Sequence, residues 1–462
     1  MVEGHVVGLE ISHRKGVFMK DKKKRVEEKE KNKGLSRRQF LIRTGVVTAG
    51  LSAFQLTEFL KAPHVFAAGG PPILIGNVEP LSGPYADSGQ DEMEGAMLSN
   101  EEWNAKGGVL GREIKMITED APSNPGIGVQ KTIKLIKKDN VDFLTGTLSS
   151  NVTLAISEEA FKEKKLFMAF GSHSDDTTME KSHRTTFRTT SQNWMLSTAV
   201  GSWLGENLKP KTVYHVTADY TWGHTGRISM NRALAKYGCK EIGNDFTPLG
   251  TKDFSANLIK ARGLKPDLLS CNCYGADQVN LVKQFKEFGL AKDIQLCGPL
   301  SGAPMMKGTG AAADGVWGLT WDCTVDTPGS QKLRAALKKR YAANKPPQWD
   351  ASYRHYLGYI THQQLFEAIT RAKTTDLIPV IKALEGWKFD GLKWTPSYWR
   401  NFDHQNIQDV IVGKAQYPAN FKTWADLFKI LGHHPGDEVA PTYAEWKKAG
   451  GHELEPYDMF KS

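Results

Sequence analysis

From residue 73 onward, short apolar runs of strand type alternate with segments of helical spacing. Residues 73–78 are apolar and followed by turn residues, 94–104 has helical spacing, 113–119 alternates, 129–138 is helical, and 142–146 is a strand ending in glycine. Residues 151–164 and 166–170 repeat the scheme. Such alternation predicts parallel strands with crossover helices on both faces. A second cycle has the same grammar, with a helix over 192–208, strands at 212–217, 240–245, 268–272 and 295–298, and helices at 226–237, 254–261 and 277–288. The fold class is therefore α/β, as two similar Rossmann-like lobes. No residue-level repeat links them, which excludes a solenoid.

Beyond the second cycle the pattern loosens. Residues 315–321 and 407–412 read as strands, 331–343 and 353–372 as helices, the latter long and rich in aromatics. From 418 to 462 the chain is rich in Pro, Gly, His and Trp with little periodicity, and is expected to be a tail wrapping the body.

At 462 residues, 40% hydrophobic and 24% charged, the chain is neither disordered nor fibrous, and it is long enough for two or three domains with cores of their own. The net charge of +9 sits unevenly: residues 1–68 hold 14 Lys and Arg against 7 Asp and Glu, the rest 46 against 44. A body so close to neutral offers little to a phosphate backbone, so nucleic acid is not an expected partner.

Residues 1–68 have the order of an export leader. A basic, polar stretch precedes Ser36-Arg37-Arg38-Gln39-Phe40-Leu41-Ile42. A weakly apolar run over 44–60 follows, then Lys61 and small residues for cleavage near Ala67 or Ala68. This resembles a twin-arginine signal and predicts a periplasmic location. Met19 serves as well as Met1 as the start. The apolar run is too short and polar for a membrane span. Cys239, Cys271, Cys273, Cys297 and Cys323 all lie beyond the leader. Their odd number leaves at least one thiol unpaired or intermolecular, and without zinc spacing they are expected to be buried thiols.

No zinc-protease, serine-hydrolase elbow, P-loop or Cys-x-x-Cys motif occurs, and no cofactor or metal site is predicted. Gly308-x-Gly310-x-x-Ala313 imitates part of a dinucleotide fingerprint, but reads as a loop. His433-His434 reads as solvated loop. The positive signals are loops at the carboxyl ends of strands, where open α/β sheets bind ligands. Tyr85 stands in a Pro/Gly turn after the first strand. Ser149 and Ser150 lead into a helix whose free N–H groups suit a carboxylate, or form an ordinary cap. Ser172 and Ser174 follow the next strand. In the second cycle Tyr220, Trp222 and Tyr274 stand at equivalent places and can cover an apolar ligand or belong to the core.

From residue 73 to about 302, and more loosely to 413, the chain resembles the periplasmic solute-binding proteins of the branched-chain amino acid class of ABC transporters. The resemblance rests on Pro80-Leu81-Ser82-Gly83-Pro84-Tyr85-Ala86, Asn104-Ala105-Lys106-Gly107-Gly108-Val109-Leu110-Gly111-Arg112 and Glu119-Asp120-Ala121. Phe187-Arg188-Thr189-Thr190, Asp253-Phe254-Ser255 and Asp403-His404-Gln405 agree with it. It implies the type I periplasmic binding fold, two lobes joined by three crossovers. The first lobe is expected over 73–190 plus about 320–395, the second over 191–319 plus about 396–417. It implies a small solute held between Tyr85, Ser149, Ser150, Ser172 and Ser174 of the first lobe and Trp222 and Tyr274 of the second. It also implies a monomer delivering that solute to a membrane permease.

Two departures bear on specificity. Where amino-acid binders carry an acidic residue for the ligand's ammonium, this chain has Leu300, so the solute is either an amino acid met by another carboxylate or an organic acid, amide or aromatic compound. Pro122 and Ser149 replace a cysteine pair found in some relatives. Alternatives to a carrier are a ligand sensor without transport, and a secreted enzyme using Ser172/His173 or Asp403/His404.

Overall fold

The computed structural model describes residues 69–460. The leader, its twin arginines and the choice of start lie outside the described residues.

The first sheet is built from β1 (Ile73–Glu79), β2 (Ile114–Asp120), β3 (Phe143–Gly146), β4 (Phe167–Ala169) and β5 (Thr186–Arg188), all parallel in the order β2-β1-β3-β4-β5. Its connecting helices are α1 (Ala86–Asn104), α2 (Pro125–Lys137) and α3 (Ser150–Lys162). β1 is apolar on both sides because both faces are covered. Ile73 and Ile75 join the cluster that includes Ala96 and Leu98 of α1, whereas Val78 joins Leu135 of α2 and Ile156 of α3. α2 starts where Asn124 accepts the Ile127 N–H and Pro125 occupies the first turn.

The second sheet begins with α4 (Asn193–Asn207), β6 (Thr212–Ala218), α5 (Thr221–Ala235), β7 (Lys240–Thr247), α6 (Ser255–Leu264), β8 (Leu268–Asn272), α7 (Ala276–Glu287), β9 (Gln295–Gly298), α8 (Ala303–Thr309) and β10 (Val316–Leu319). The chain then returns through α9 (Pro328–Tyr341) and α10 (Tyr353–Ala372), which packs along α1, and α11 (Leu377–Leu384). A small antiparallel sheet of β11 (Lys388–Phe389), β12 (Ser397–Trp399) and β13 (Asn406–Ile407) leads back to β14 (Val410–Ala415). β15 (Phe428–His434) and α12 (Tyr443–Lys448) follow. The second sheet runs β15-β14-β10-β9-β8-β6-β7, with β10, β9, β8, β6 and β7 paired in parallel and the β10–β14 and β14–β15 pairs antiparallel.

The chain thus crosses between the sheets three times, after β5, after β10 and before β14. One lysine ties the crossings together. The buried Lys393 ammonium donates to the Thr320 carbonyl (2.8 Å), the Gln408 side chain (2.7 Å) and the Asp409 carbonyl (2.6 Å), while Gln408 donates to the Thr189 carbonyl. Burial lowers the Lys393 ammonium to about 7.

Several elements differ from the sequence reading. The strand expected at 407–412 starts at Val410, because Gln408 and Asp409 serve the third crossing. The segment read as a featureless tail contains β15, the edge strand of the second sheet, whose alternation is broken by a register shift opposite Val412 and Gly413. His433 is therefore in a strand and not in a loop, though exposed as expected, and stacks on Trp394 at 4.2 Å. Gly308–Ala313 ends a helix and forms a turn with no strand before it, so it makes no phosphate loop. All five cysteines are buried and free.

Candidate functional site

The loops at the carboxyl edge of the first sheet face those of the second. β3 ends in Gly146, at φ +113°, where an added Cβ would lie 2.2 Å from the Val78 carbonyl oxygen, so only glycine lets the chain turn there. The turn places Ser149 as the first residue before α3, and its side chain makes no capping hydrogen bond. The helix N–H groups and the Ser149 hydroxyl thus remain available to an anion. Ser150 Oγ accepts from Ser172 Oγ (3.2 Å) and from the Ser174 N–H (3.4 Å), and Ser172 also bonds Thr177 Oγ1 at 3.0 Å. Arg188, fully buried, donates to the carbonyls of Ser172 and Ser174 and fixes that loop.

Aromatic residues stand on both sides of the seam, Tyr85 on the first half and Tyr220, Trp222 and Tyr274 on the second. Tyr85 and Tyr274 pack edge to face at 5.9 Å between ring centres, Trp222 and Tyr274 at 6.2 Å, and Tyr220 and Trp222 at 6.1 Å. All four are buried. Burial pushes the Tyr85 phenol up to about 12 and raises Tyr220 well above the ordinary phenol value, so both are neutral hydrogen-bonding groups. The indole Nε1 of Trp222 is buried and has no hydrogen-bond partner among the described residues. A donor in that position points to a guest acceptor. All seven residues singled out from sequence are thus buried where the two sheet edges meet, and Tyr220 joins Trp222 there.

Direct bonds join the two halves. Thr225 Oγ1 of α5 donates to Ser174 Oγ at 3.4 Å. Asp175 accepts from Ser229 Oγ of α5 (2.6 Å) and from the Trp194 N–H of α4 (2.8 Å). Burial outweighs these bonds and raises the Asp175 carboxyl to about 6.

Four residues that sequence reasoning did not single out complete the seam. Arg354, at the start of α10, donates to Glu92 Oε1 of α1 (2.7 Å), to the Gly171 carbonyl (3.2 Å) and to the phenolic oxygen of Tyr274 (3.2 Å). Tyr353 donates to the same phenolic oxygen at 2.9 Å. Burial raises the Glu79 and Glu92 carboxyls, the Glu92 charge adding to the rise at Glu79 and the Arg354 guanidinium opposing it at Glu92, and neither Glu79 oxygen has a hydrogen-bond partner among the described residues. The one early signal was Glu79 itself, an acid at the end of an otherwise apolar strand.

The enzyme alternatives find no support in this geometry. His173 bonds the Ser191 carbonyl oxygen through Nδ1 (2.7 Å), not Ser172, and burial holds its pKa well below the ordinary histidine value. Asp403 is paired with Arg400, and His404 is stacked on Phe187 at 3.8 Å and bonded to Glu385 at 2.9 Å. Leu300, where an acid would meet an ammonium, is buried in the apolar core.

Comparison with known proteins agrees with this arrangement. The family model described as periplasmic binding protein matches residues 72–420. A Leu/Ile/Val-binding protein homologue from Brucella suis is 26% identical over 350 residues, covering 72% of this chain and 86% of that one. The crystal structure of a periplasmic binding protein from Burkholderia mallei superposes with a TM-score of 0.74 at 25% identity, covering 81% of this chain and 97% of that one. A solute-binding protein of an ABC transporter from R. palustris, solved with benzoate, gives a TM-score of 0.70 at 20% identity, covering 81% of this chain and 98% of that one. The chain belongs to the periplasmic binding protein family.

Proposed function

We propose that this protein captures a small monocarboxylate with an apolar or aromatic body and delivers it to the membrane permease of an ABC importer. The observation that carries the reading is the pairing of groups at the seam. A nest of hydroxyls at the start of α3 faces a set of aromatic rings, while of the nearby carboxyls Glu92 and Asp175 are already paired and Glu79 has no hydrogen-bond partner among the described residues. Glu92 is held by Arg354, Asp175 is bonded to Ser229 and Trp194, burial raises the Glu79 carboxyl well above the ordinary carboxylate range, and Leu300 stands where an acid would receive an ammonium. A carboxylate finds donors there. An ammonium finds only the Glu79 carboxyl, whose charged form burial and the Glu92 charge disfavour, so its burial costs several kcal/mol. The benzoate complex of the R. palustris protein shows that this fold can hold such a solute. Ligand contacts are assigned to Tyr85, Ser149, Ser150, Ser172 and Ser174 on one side and Trp222 and Tyr274 on the other.

The test is calorimetric titration with benzoate, 4-hydroxybenzoate, leucine, isoleucine and valine. The reading expects the aromatic acids to bind at micromolar concentration or better; tight leucine binding with none by the acids refutes it. The twin-arginine leader belongs to the same proposal. Replacing Arg37 and Arg38 by lysine should leave the precursor in the cytoplasm, and normal export of that variant would exclude the pathway.

A further inference from the structure

The phenolic oxygen of Tyr274 receives two hydrogen bonds from residues packed against α1, one from Tyr353 Oη–H at 2.9 Å and one from Arg354 Nε–H at 3.2 Å. A phenol oxygen that accepts two such bonds has its lone pairs occupied, so its own proton must be donated elsewhere. Among the described residues the one further hydrogen-bond contact at that oxygen is Ser88 Oγ at 3.4 Å, well beyond the usual O–H···O distance of about 2.7–2.8 Å. The donor therefore has no good acceptor among the described residues. Arg354 polarises it further. The guanidinium lies 4.5 Å from the Tyr353 ring centre and 5.0 Å from that of Tyr274, is buried, and is anchored on its other side by Glu92 and the Gly171 carbonyl. Gly171 immediately precedes Ser172, so this anchor places the Tyr274 hydroxyl beside the hydroxyl nest. An added Cβ at Gly171 would lie 2.1 Å from Glu92 Oε1 and 2.2 Å from Arg354 Nη1, which shows how closely the pair is seated on that loop.

We propose that Tyr353 and Arg354 are positioning residues that turn the Tyr274 hydroxyl into a directed donor for the charged end of an anionic solute. The donor stands on the second half of the molecule and is aimed by the first, so it is in place only when the halves are closed. Its hydrogen bond is charge-assisted for a carboxylate and ordinary for an uncharged amide. The inference rests on the monocarboxylate reading of the cleft and adds which residues discriminate charge.

The experiment is titration of benzoate and of benzamide into wild type, Tyr353→Phe, Tyr274→Phe and the double variant, with melting curves recorded without solute. Tyr353→Phe should weaken benzoate about five- to ten-fold and benzamide less than about two-fold. Tyr274→Phe should lose at least as much for benzoate, and adding Tyr353→Phe to it should cost nothing further, because Tyr353 acts only through that oxygen. Equal losses for both solutes, or additive losses in the double variant, assign Tyr353 a merely structural role and overturn the inference while leaving the carboxylate reading intact. Failure of wild type to bind benzoate overturns the reading of the cleft and the inference together.

Discussion

Asp175 offers a quantitative check on the seam. Its carboxyl is buried between the halves, accepts from Ser229 Oγ and the Trp194 N–H, and has the Arg188 and Arg232 guanidinium groups nearby, yet burial raises it from 3.8 to about 6. Between about pH 4 and 6 the folded chain therefore holds a proton that the unfolded chain has released. Stability then falls as pH rises through that window, and the loss is complete above it. Two units at about 1.36 kcal/mol each give a loss of about 3 kcal/mol. Asp175→Asn removes the charge, keeps an oxygen for the Trp194 N–H, and lets its amide donate to Ser229. The stability difference, variant minus wild type, should be near zero below about pH 4 and grow to about 3 kcal/mol in the variant's favour at neutral pH. Urea unfolding followed by tryptophan fluorescence at a series of pH values measures it. A difference independent of pH, or a variant less stable at pH 7, refutes the argument that desolvation outweighs hydrogen bonding at this carboxyl.

Three further outcomes follow from the same geometry. Gly171→Ala drives a methyl group into the Glu92–Arg354 pair and should lower stability by about 3 kcal/mol or more, together with solute affinity, as read by melting curves and titration. Trp222→Phe keeps most of the ring packing but deletes the unpartnered Nε1 donor, so solute affinity should fall about five-fold while the melting temperature of the empty protein barely moves. The five free cysteines are buried, so a thiol reagent should leave the native chain unmodified over minutes and label all five in urea; rapid labelling of the native chain would contradict the packing of the second sheet.

The regular parts of the fold were legible because their burial is one-dimensional. A strand covered on both faces reads as an apolar run, and β1, β6 and β8 did so. The small sheet of β11–β13 and the edge strand β15 were not legible: the first has strands two or three residues long, and the second loses its alternation at a bulge. At the site the serine and aromatic loops were visible as turns following strands. Glu92, Tyr353 and Arg354 were not, because they sit in helices α1 and α10, where a charged residue in sequence reads as a solvated face. Only the packing of α10 along α1 turns those positions inward. His173 and the Asp403-His404 pair show the converse: a reactive side chain in a suggestive stretch becomes structural once its partners are seen.

The balance of charge at the seam also decides which guest can keep it closed. The bonds between the halves among the described residues include Thr225 to Ser174, Ser229 and the Trp194 N–H to Asp175, and the Tyr353 and Arg354 bonds to Tyr274, and each is worth about 1 kcal/mol net because opening returns its groups to water. Closure therefore depends on what the solute adds in the closed state over the open one. Moving the population from mostly open to mostly closed takes about 5.5 kcal/mol of differential binding, out of about 8 kcal/mol for a micromolar guest. On the proposed reading a monocarboxylate would supply this differential by meeting α3 with its charge and the aromatic rings with its body. A zwitterion would lose several kcal/mol of the same sum for an ammonium placed against Leu300 instead of a carboxylate. The fold is common to both kinds of guest; the margin that separates them is about the size of one unmatched charge.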